Sequence, residues 1–308
     1  MKVIITGAGG MLGRRLAAEA RRAGHETIGV GRAAHPPAGS VCDRWISGDL
    51  ADPRMLEQDW ASLSGAAVFH LAADTRIYQP GRDFVRDNVA TTETACAMAQ
   101  RTGGRLIFFS SSAVYSGPHT RRPVTALAES DETNPSTAYG RSKRMAEEAI
   151  SRAGVDAVVL RLFGVLSDLL PAVPERGNLV QAIVRAWRTG GEVVVATDAS
   201  GELTVRDYVL EEDVSRCALA ALVWPRAAVG PLTVNVCTGE GTTAVAMVEM
   251  ARKVAGKEIR LRLEPHPAGT NPAMVGDPST LRKLHSPAPQ NRVWEFWAKL
   301  FSGRRPAP

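Results

Sequence analysis

Lys2-Val3-Ile4-Ile5-Thr6-Gly7-Ala8-Gly9-Gly10-Met11-Leu12-Gly13 follows directly on Met1. Its first five residues, mostly β-branched, make a buried strand, and the glycines at 7, 10 and 13 turn the chain sharply at the strand end. Gly7 permits the tight turn, Gly10 lets backbone approach a diphosphate, and Gly13 lets the helix that starts at Leu12 pack on the sheet. The start of that helix offers unpaired N–H groups and a positive dipole end to an anion, so Met11 and Leu12 join the three glycines as cofactor-binding candidates. A glycine turn in an α/β protein that binds nothing is the competing reading. Its place between a strand and a helix favours a dinucleotide.

Outward from this stretch, short apolar strands alternate with amphipathic helices. Strands are predicted over Val3–Thr6, Glu26–Val30, Ala67–Leu71, Arg105–Ser110 and Ala157–Leu162. Helices are predicted over Leu12–Ala23, Phe84–Arg101 and Tyr139–Arg152. That order predicts an α/β fold, a Rossmann-type doubly wound parallel sheet with ligands at the carboxyl ends of its strands.

After Gly164 the alternation gives way to a Pro-rich loop over Leu170–Pro174 and a helix over Leu179–Arg188, and Leu232–Val236 reads as one more buried strand. The expected division is a dinucleotide-binding domain over 1–163, with 207–238 returning to it, and a smaller C-terminal substrate-binding lobe from 164–206 and 239–308. A helix over Ala244–Ala255 belongs to that lobe. So does the tail from Arg292 to Phe301, which places Trp294, Trp297 and Phe301 on one core-docking face.

With 44% hydrophobic and 22% charged residues, the chain has the composition of a soluble protein, and no apolar run approaches the ~18 residues of a membrane span. The Met1 start leaves no room for a signal peptide, which predicts a cytoplasmic protein. The net charge of +5 comes from dispersed arginines and suits an anionic small molecule better than nucleic acid. Cys42, Cys96, Cys217 and Cys237 lack metal-ligand spacing and read as reduced and structural, and no metal is expected.

The end of the second strand discriminates between cofactors, because a carboxylate there holds a ribose 2′-hydroxyl and an arginine accommodates a 2′-phosphate. Val30-Gly31-Arg32 has no acid. Arg32, with Arg14 or Arg15 as candidate helpers, favours NADP(H), while NAD(H) stays open and a solvent-facing arginine is the alternative. Asp49 and Leu50, after another strand, are candidates to flank the adenine, although an acid in a loop also serves as a cap.

Tyr139 and Lys143 are four apart and share a helix face. A nearby ammonium and a positive nicotinamide ring favour the phenolate of a tyrosine that is otherwise a poor base. Lys143 can also hydrogen-bond the cofactor ribose. Ser111, in Ser110-Ser111-Ser112-Ala113-Val114-Tyr115, would hold the substrate oxygen beside Tyr139, so that one tyrosine serves oxidation and reduction. Asn88 is a candidate to support the site or to cap or pack a helix.

Taken together, the glycine turn, Gly48-Asp49-Leu50, His70-Leu71-Ala72-Ala73, Asn88-Val89, Ser110 to Tyr115 and Tyr139-Gly140-Arg141-Ser142-Lys143 resemble the extended short-chain dehydrogenase/reductases, in their nucleotide-sugar epimerase, dehydratase and ketoreductase branch. The resemblance spans nearly the whole chain. It implies Ser111 as the catalytic hydroxyl, with Ser112 as runner-up, and places Leu71, Ala72, Ala73 and Asn88 beside the cofactor. Arg206-Asp207-Tyr208-Val209 is similar to the segment whose arginine contacts a nucleoside diphosphate, and Gly177-Asn178-Leu179 to the one whose asparagine does likewise at a helix start. Pairing of Arg206 with Asp207 or Asp213 is the structural alternative. The resemblance also implies a homodimer through the helices near 84–101 and 139–152.

Two departures matter. Arg161-Leu162-Phe163-Gly164 has glycine where the family often has asparagine, and Glu264-Pro265-His266-Pro267-Ala268-Gly269 lacks the arginine usual before its turn. Dehydratases of the branch place an Asp-Glu pair after the catalytic hydroxyl, where this chain has Ser112-Ala113. A 3,5-epimerase/reductase needs a Cys and His pair that Ala113 and the distant His119 do not supply.

Carbonyl and carbinol redox is left. The best reading is NADPH-dependent reduction of a 4-keto(deoxy)sugar nucleotide. The alternatives are an NAD-dependent nucleotide-sugar 4-epimerase, a reductase or dehydrogenase of a non-nucleotide carbonyl compound, and, in another class, a non-catalytic cofactor-sensing binding protein, which has no use for Ser111, Tyr139 and Lys143.

Overall fold

The computed structural model describes residues 1–77, 81–115, 126–168, 178–197, 203–265, 273–284 and 288–302. The stretch over 170–174, His119 and positions 266–269 lie outside them. The chain runs β1 (Lys2–Thr6), α1 (Met11–Arg22), β2 (Glu26–Gly31), β3 (Arg44–Ser47), β4 (Ala67–His70), α2 (Thr91–Thr102), β5 (Leu106–Ser111), α3 (Ala138–Ala153) and β6 (Ala157–Leu162). It continues with β7 (Gly164–Leu166), α4 (Leu179–Thr189), β8 (Glu192–Thr197), β9 (Val205–Leu210), α5 (Glu211–Ala220), β10 (Leu232–Val236) and β11 (Gly241–Thr243). The last elements are α6 (Ala244–Ala255), β12 (Arg260–Pro265), β13 (Ala273–Met274), α7 (Ser279–Lys283) and α8 (Val293–Ser302).

Seven strands in the order β10-β6-β5-β4-β1-β2-β3 form one sheet, and every pair in it is parallel. Strand side chains alternate between its faces. Val3 and Ile5 of β1, with Ile107 and Phe109 of β5, bury against α1 and α5. Ile4, Leu106 and Phe108 bury on the opposite face against α2 and α3. Apolar residues facing both ways explain the near-continuous hydrophobic strands. Glycines in the left-handed conformation close α2, α3, α4 and α6 at Gly103, Gly154, Gly190 and Gly256.

Of the stretch expected to return, α5 packs on a face of the central sheet and β10 pairs with β6. β9, within the stretch expected to return, instead joins β7, β11 and β13 in a separate small sheet. A second core gathers α4, α6 and α8 with β8 and β12, while Leu281 of α7 docks on the first core rather than in the smaller lobe. In α8, Trp297 and Phe301 are buried as expected, but Trp294 is 49% exposed. Val293, Phe296 and Leu300 complete the buried stripe, which is centred away from Trp294. The four cysteines are free thiols. Among the described residues, no helix is long and apolar enough to cross a membrane.

His70 ends β4 wholly inside the protein, between Thr6 Oγ1 at 2.9 Å and Thr92 Oγ1 at 3.1 Å. Burial, aided by the Lys143 charge, pushes its pKa from 6.5 down to about 3. The unfolded chain binds a proton below 6.5 that the folded one refuses, so this histidine costs stability progressively as pH falls from 6.5 towards 3. The expected slope is about 1.4 kcal/mol per pH unit. Urea titrations at pH 7, 6 and 5 should show it, and His70→Gln should flatten that part of the profile; equal slopes in the two proteins would refute the assignment.

Candidate active site

The glycine turn is built as its spacing requires. Gly7 has φ +68, and a Cβ there would lie 2.9 Å from the Ala72 nitrogen, so the β1 turn and the chain after β4 touch backbone to backbone. A Cβ on Gly13 would meet the Gly7 carbonyl at 2.3 Å and Ala8 Cα at 2.7 Å. Gly10 caps α1 with extended backbone and offers no side-chain acceptor, whereas Thr137, Asn178 and Thr243 cap α3, α4 and α6. The first N–H groups of α1, those of Met11 and Leu12 included, therefore lack a side-chain cap.

A cleft of about 480 Å³ opens beside that turn, a size within the ~300–1,000 Å³ of small-molecule sites. Gly7, Gly10, Leu71, Ala72 and Ala73 line one part of it, and Gly31, Arg32, Asp49 and Leu50 another. An uncapped helix start and a wall without side chains fit a dinucleotide diphosphate. Arg32 is exposed on the cleft wall. Its proposed helpers are used elsewhere: Arg14 donates to the Gly9 carbonyl at 2.9 Å, and Arg15 pairs with Glu19 at 3.2 Å and Glu212 at 2.8 Å. Asp49 also caps the local turn, accepting from the Ala51 nitrogen at 3.0 Å.

Several cleft residues escaped the sequence reading. Asp74, buried at the cleft wall, is held by Arg76 at 2.9 Å and by Arg82. These pairs hold its carboxyl down at about 2 despite burial. The Asp-x-Arg spacing just after the β4 end was the available signal. The helical stretch expected from Phe84 does start there, and Asn88 sits in a π-helical turn, Arg86–Ala90, that leads into α2. Its Oδ1 accepts from the Asp74 nitrogen at 2.7 Å and its Nδ2 donates to Ser142 Oγ at 2.9 Å. Asn88 thus ties the loop after β4 to α3 beside Lys143, and its amide is spent on scaffold.

The catalytic candidates converge between α3 and the end of β5. Thr137 caps α3, accepting from the Gly140 nitrogen at 3.0 Å, which fixes where Tyr139 leaves the first turn. Tyr139 hydrogen-bonds Ser111 and meets the Phe84 ring edge-on, centroids 6.0 Å apart. Burial pushes its phenol from 10 up to about 12, opposed by the Ser111 contact. Lys143 is 3% exposed, donates to the Phe109 carbonyl at 2.8 Å and stands 4.7 Å from the Phe108 ring centroid. Burial drives its ammonium down to about 8. Ser111 Oγ also accepts from the Ala113 nitrogen at 3.1 Å, while Ser112 opens a 3₁₀ turn.

The two diphosphate candidates fare differently. Asn178 closes a capping box with Gln181, each accepting from the other's backbone nitrogen at 3.0 Å, so the α4 start satisfies itself. Arg206 is half-buried on β9 and donates to the Val205 carbonyl at 2.8 Å. Its suggested partners are engaged elsewhere. Asp207 accepts from Thr238, Gly239 and Gly276, and Asp213 pairs with Arg216 and Arg292. The glycine at 164 has a steric reason: a Cβ there would lie 2.8 Å from the Tyr208 ring and 2.9 Å from the Asp207 carbonyl. β7 and β9 approach too closely to admit asparagine.

The chain is similar to known proteins along most of its length. A UDP-glucose 4-epimerase of Corynebacterium glutamicum is 27% identical over 318 residues, covering 96% of this chain and 90% of its own. A UDP-arabinose 4-epimerase of Arabidopsis thaliana is 27% identical over 266 residues, 78% of this chain and 61% of its own. Among solved structures, UDP-glucose-4-epimerase from Stenotrophomonas maltophila, with bound NAD and formylated UDP-arabinopyranose, superposes with a TM-score of 0.83 at 23% identity, covering 98% and 97% of the two chains. Residues 3–237, from β1 through β10, match the NAD dependent epimerase/dehydratase family. With the glycine turn, the Ser111, Tyr139 and Lys143 cluster and the parallel sheet all inside that span, this chain belongs to the NAD dependent epimerase/dehydratase family, in the nucleotide-sugar epimerase branch of the extended short-chain dehydrogenase/reductases.

Proposed function

We propose that the protein is an NAD-dependent 4-epimerase of a uridine-diphosphate sugar. The observation that carries this reading is the junction of Ser111, Tyr139 and Lys143 next to a dinucleotide-shaped cleft, in a chain whose relatives are named as 4-epimerases along most of its length. No carboxylate stands in the Ser112–Tyr115 turn after Ser111, so the elimination chemistry of the family's dehydratases lacks its acid and base. A nicotinamide cofactor held along Gly7, Gly10, Leu71, Ala72 and Ala73 would supply reversible hydride exchange at the sugar C4. Tyr139 removes the C4 hydroxyl proton and later restores one, Ser111 positions that oxygen, and the Lys143 charge favours the phenolate.

This proposal departs from the ketoreductase expected from Arg32. Relatives named as 4-epimerases support the alternative, and several structural neighbours hold NAD, which leaves the NADP(H) preference without support among them. A homodimer through α2 and α3 belongs to the same proposal; a groove lined by Cys96, Ala97 and Ala149 runs between these helices, and Met145 is exposed on α3.

The test supplies UDP-glucose to freshly purified protein with no added nicotinamide and follows UDP-galactose by NMR, alongside the mass of any nucleotide released on denaturation. Retained NAD with conversion is expected. An empty site, no conversion, and NADPH-dependent reduction of a 4-keto sugar nucleotide would replace the epimerase with the reductase.

A further inference from the structure

Three residues along one face of α3 each meet the end of β5. Tyr139 hydrogen-bonds Ser111, Lys143 donates to the Phe109 carbonyl at 2.8 Å, and Glu147 accepts from Ser110 Oγ at 2.5 Å. Their spacing of four keeps them in one line. The Glu147 carboxylate also takes Arg161 of β6 through Nη2 at 2.8 Å and Nε at 3.1 Å. Arg161 is 7% exposed and reaches on to the Tyr115 hydroxyl at 2.8 Å and the Glu129 carbonyl at 3.2 Å. Tyr115 in turn donates to Asn235 of β10 at 2.9 Å, so the anion at 147 is anchored across β5, β6 and β10. Nothing in the proposed reaction uses Glu147.

We infer that Glu147 is a positioning residue of the active site: held by Arg161 and Ser110, its carboxylate sustains the charge on Lys143 one helical turn away and so governs the proton exchange of Tyr139. This deepens the proposed function and rests on it for the roles of Tyr139 and Lys143. Burial works against the ammonium, and the negative charge at Glu147 opposes that loss. The other groups facing Lys143 cannot do so: His70 of β4 is neutral, Tyr139 keeps its proton in the free protein, and the Phe108 ring offers only its quadrupole. Arg161, the nearby cation from β6, has its charge absorbed by Glu147.

Opposite signs follow from opposite deletions. Glu147→Gln removes the anion and leaves Arg161 uncompensated, so both changes oppose the charge on Lys143. Arg161→Leu leaves the Glu147 charge undivided and should favour it. A residue that only braced the fold would produce no such reversal.

The chain has six lysines, so protein labelled with ¹³C and ¹⁵N lysine gives few side-chain signals, and Lys143→Met identifies the one needed. In the free wild-type protein Lys143 should titrate near 8. Glu147→Gln should lower that midpoint by about 1 unit or more, and Arg161→Leu should raise it. If Glu147→Gln fails to fold, the double variant Glu147→Gln/Arg161→Leu, which leaves neither charge buried alone, carries the test and should also titrate below wild type. An unchanged midpoint in a folded Glu147 variant, or shifts of the same sign in the Glu147 and Arg161 variants, would overturn the inference. The titration needs neither substrate nor cofactor, so its failure is distinguishable from failure of the epimerase reading.

Discussion

Tyr139→Phe should reduce turnover by about 10²–10⁴-fold, the span general acid–base groups supply, with the retained nicotinamide unchanged. Phenylalanine keeps the ring that packs against Phe84 and removes only the hydroxyl that meets Ser111. The helix should stay in place, with Lys143 still held by the Phe109 carbonyl. What disappears is the group that takes and returns the proton at the sugar oxygen. Sugar-nucleotide interconversion and the amount of cofactor released on denaturation are the two readouts. Activity within tenfold of wild type would remove Tyr139 from the mechanism, and loss of cofactor together with activity would assign it a binding role instead.

Gly13→Val should have the second large effect, this time on assembly. A Cβ there falls on the Gly7 carbonyl and on Ala8 Cα, and both obstacles are backbone that cannot rotate away. Relief requires α1 to lift off the sheet, which carries its uncapped N–H groups away from the cleft. The expected cost is about 3 kcal/mol or more, at the upper end for overpacking, with no nicotinamide retained after purification. Gly10→Ala offers a graded comparison, since its Cβ would meet only the Gly7 carbonyl, at 3.2 Å. Thermal midpoints and released cofactor measured on both variants check the order; a Gly13→Val protein that purified with full cofactor would show that close packing of α1 is dispensable.

The features written locally in the chain were legible from it. β-branched runs bounded by turn residues located β1, β6 and β10 closely, and the helix around Tyr139 and Lys143 lies where its spacing predicts. Properties that depend on partners distant in sequence were not. Arg15 looked available for a phosphate until Glu212 of α5 was placed against it. The missing asparagine at 164 looked like a departure in substrate binding, but the crowding comes from Tyr208. Trp294 satisfied a helical stripe whose centre is set by which side of α8 meets α6, something period alone cannot say. Glu147 reads as one more surface acid on a charged helix, and only the arrival of Arg161 from β6 makes it part of the site. The choice between NAD and NADP was read from a single side chain, Arg32, which shares its part of the cleft wall with Asp49.

The central sheet is finished by its last strand in the chain, β10, which pairs with β6 after all of β7 to α5 has intervened. During synthesis, the N-terminal lobe therefore emerges with the apolar β6 as an open edge, Ala157 to Leu162, whose unpaired backbone groups invite pairing with another chain. That edge closes only when residue 236 has left the ribosome. Asn235 of β10 then binds Tyr115 and Glu129, so the event that seals the sheet also completes the hydrogen-bonded network behind the active site. Closure of the sheet edge and completion of the network behind the catalytic residues therefore rest on one and the same strand.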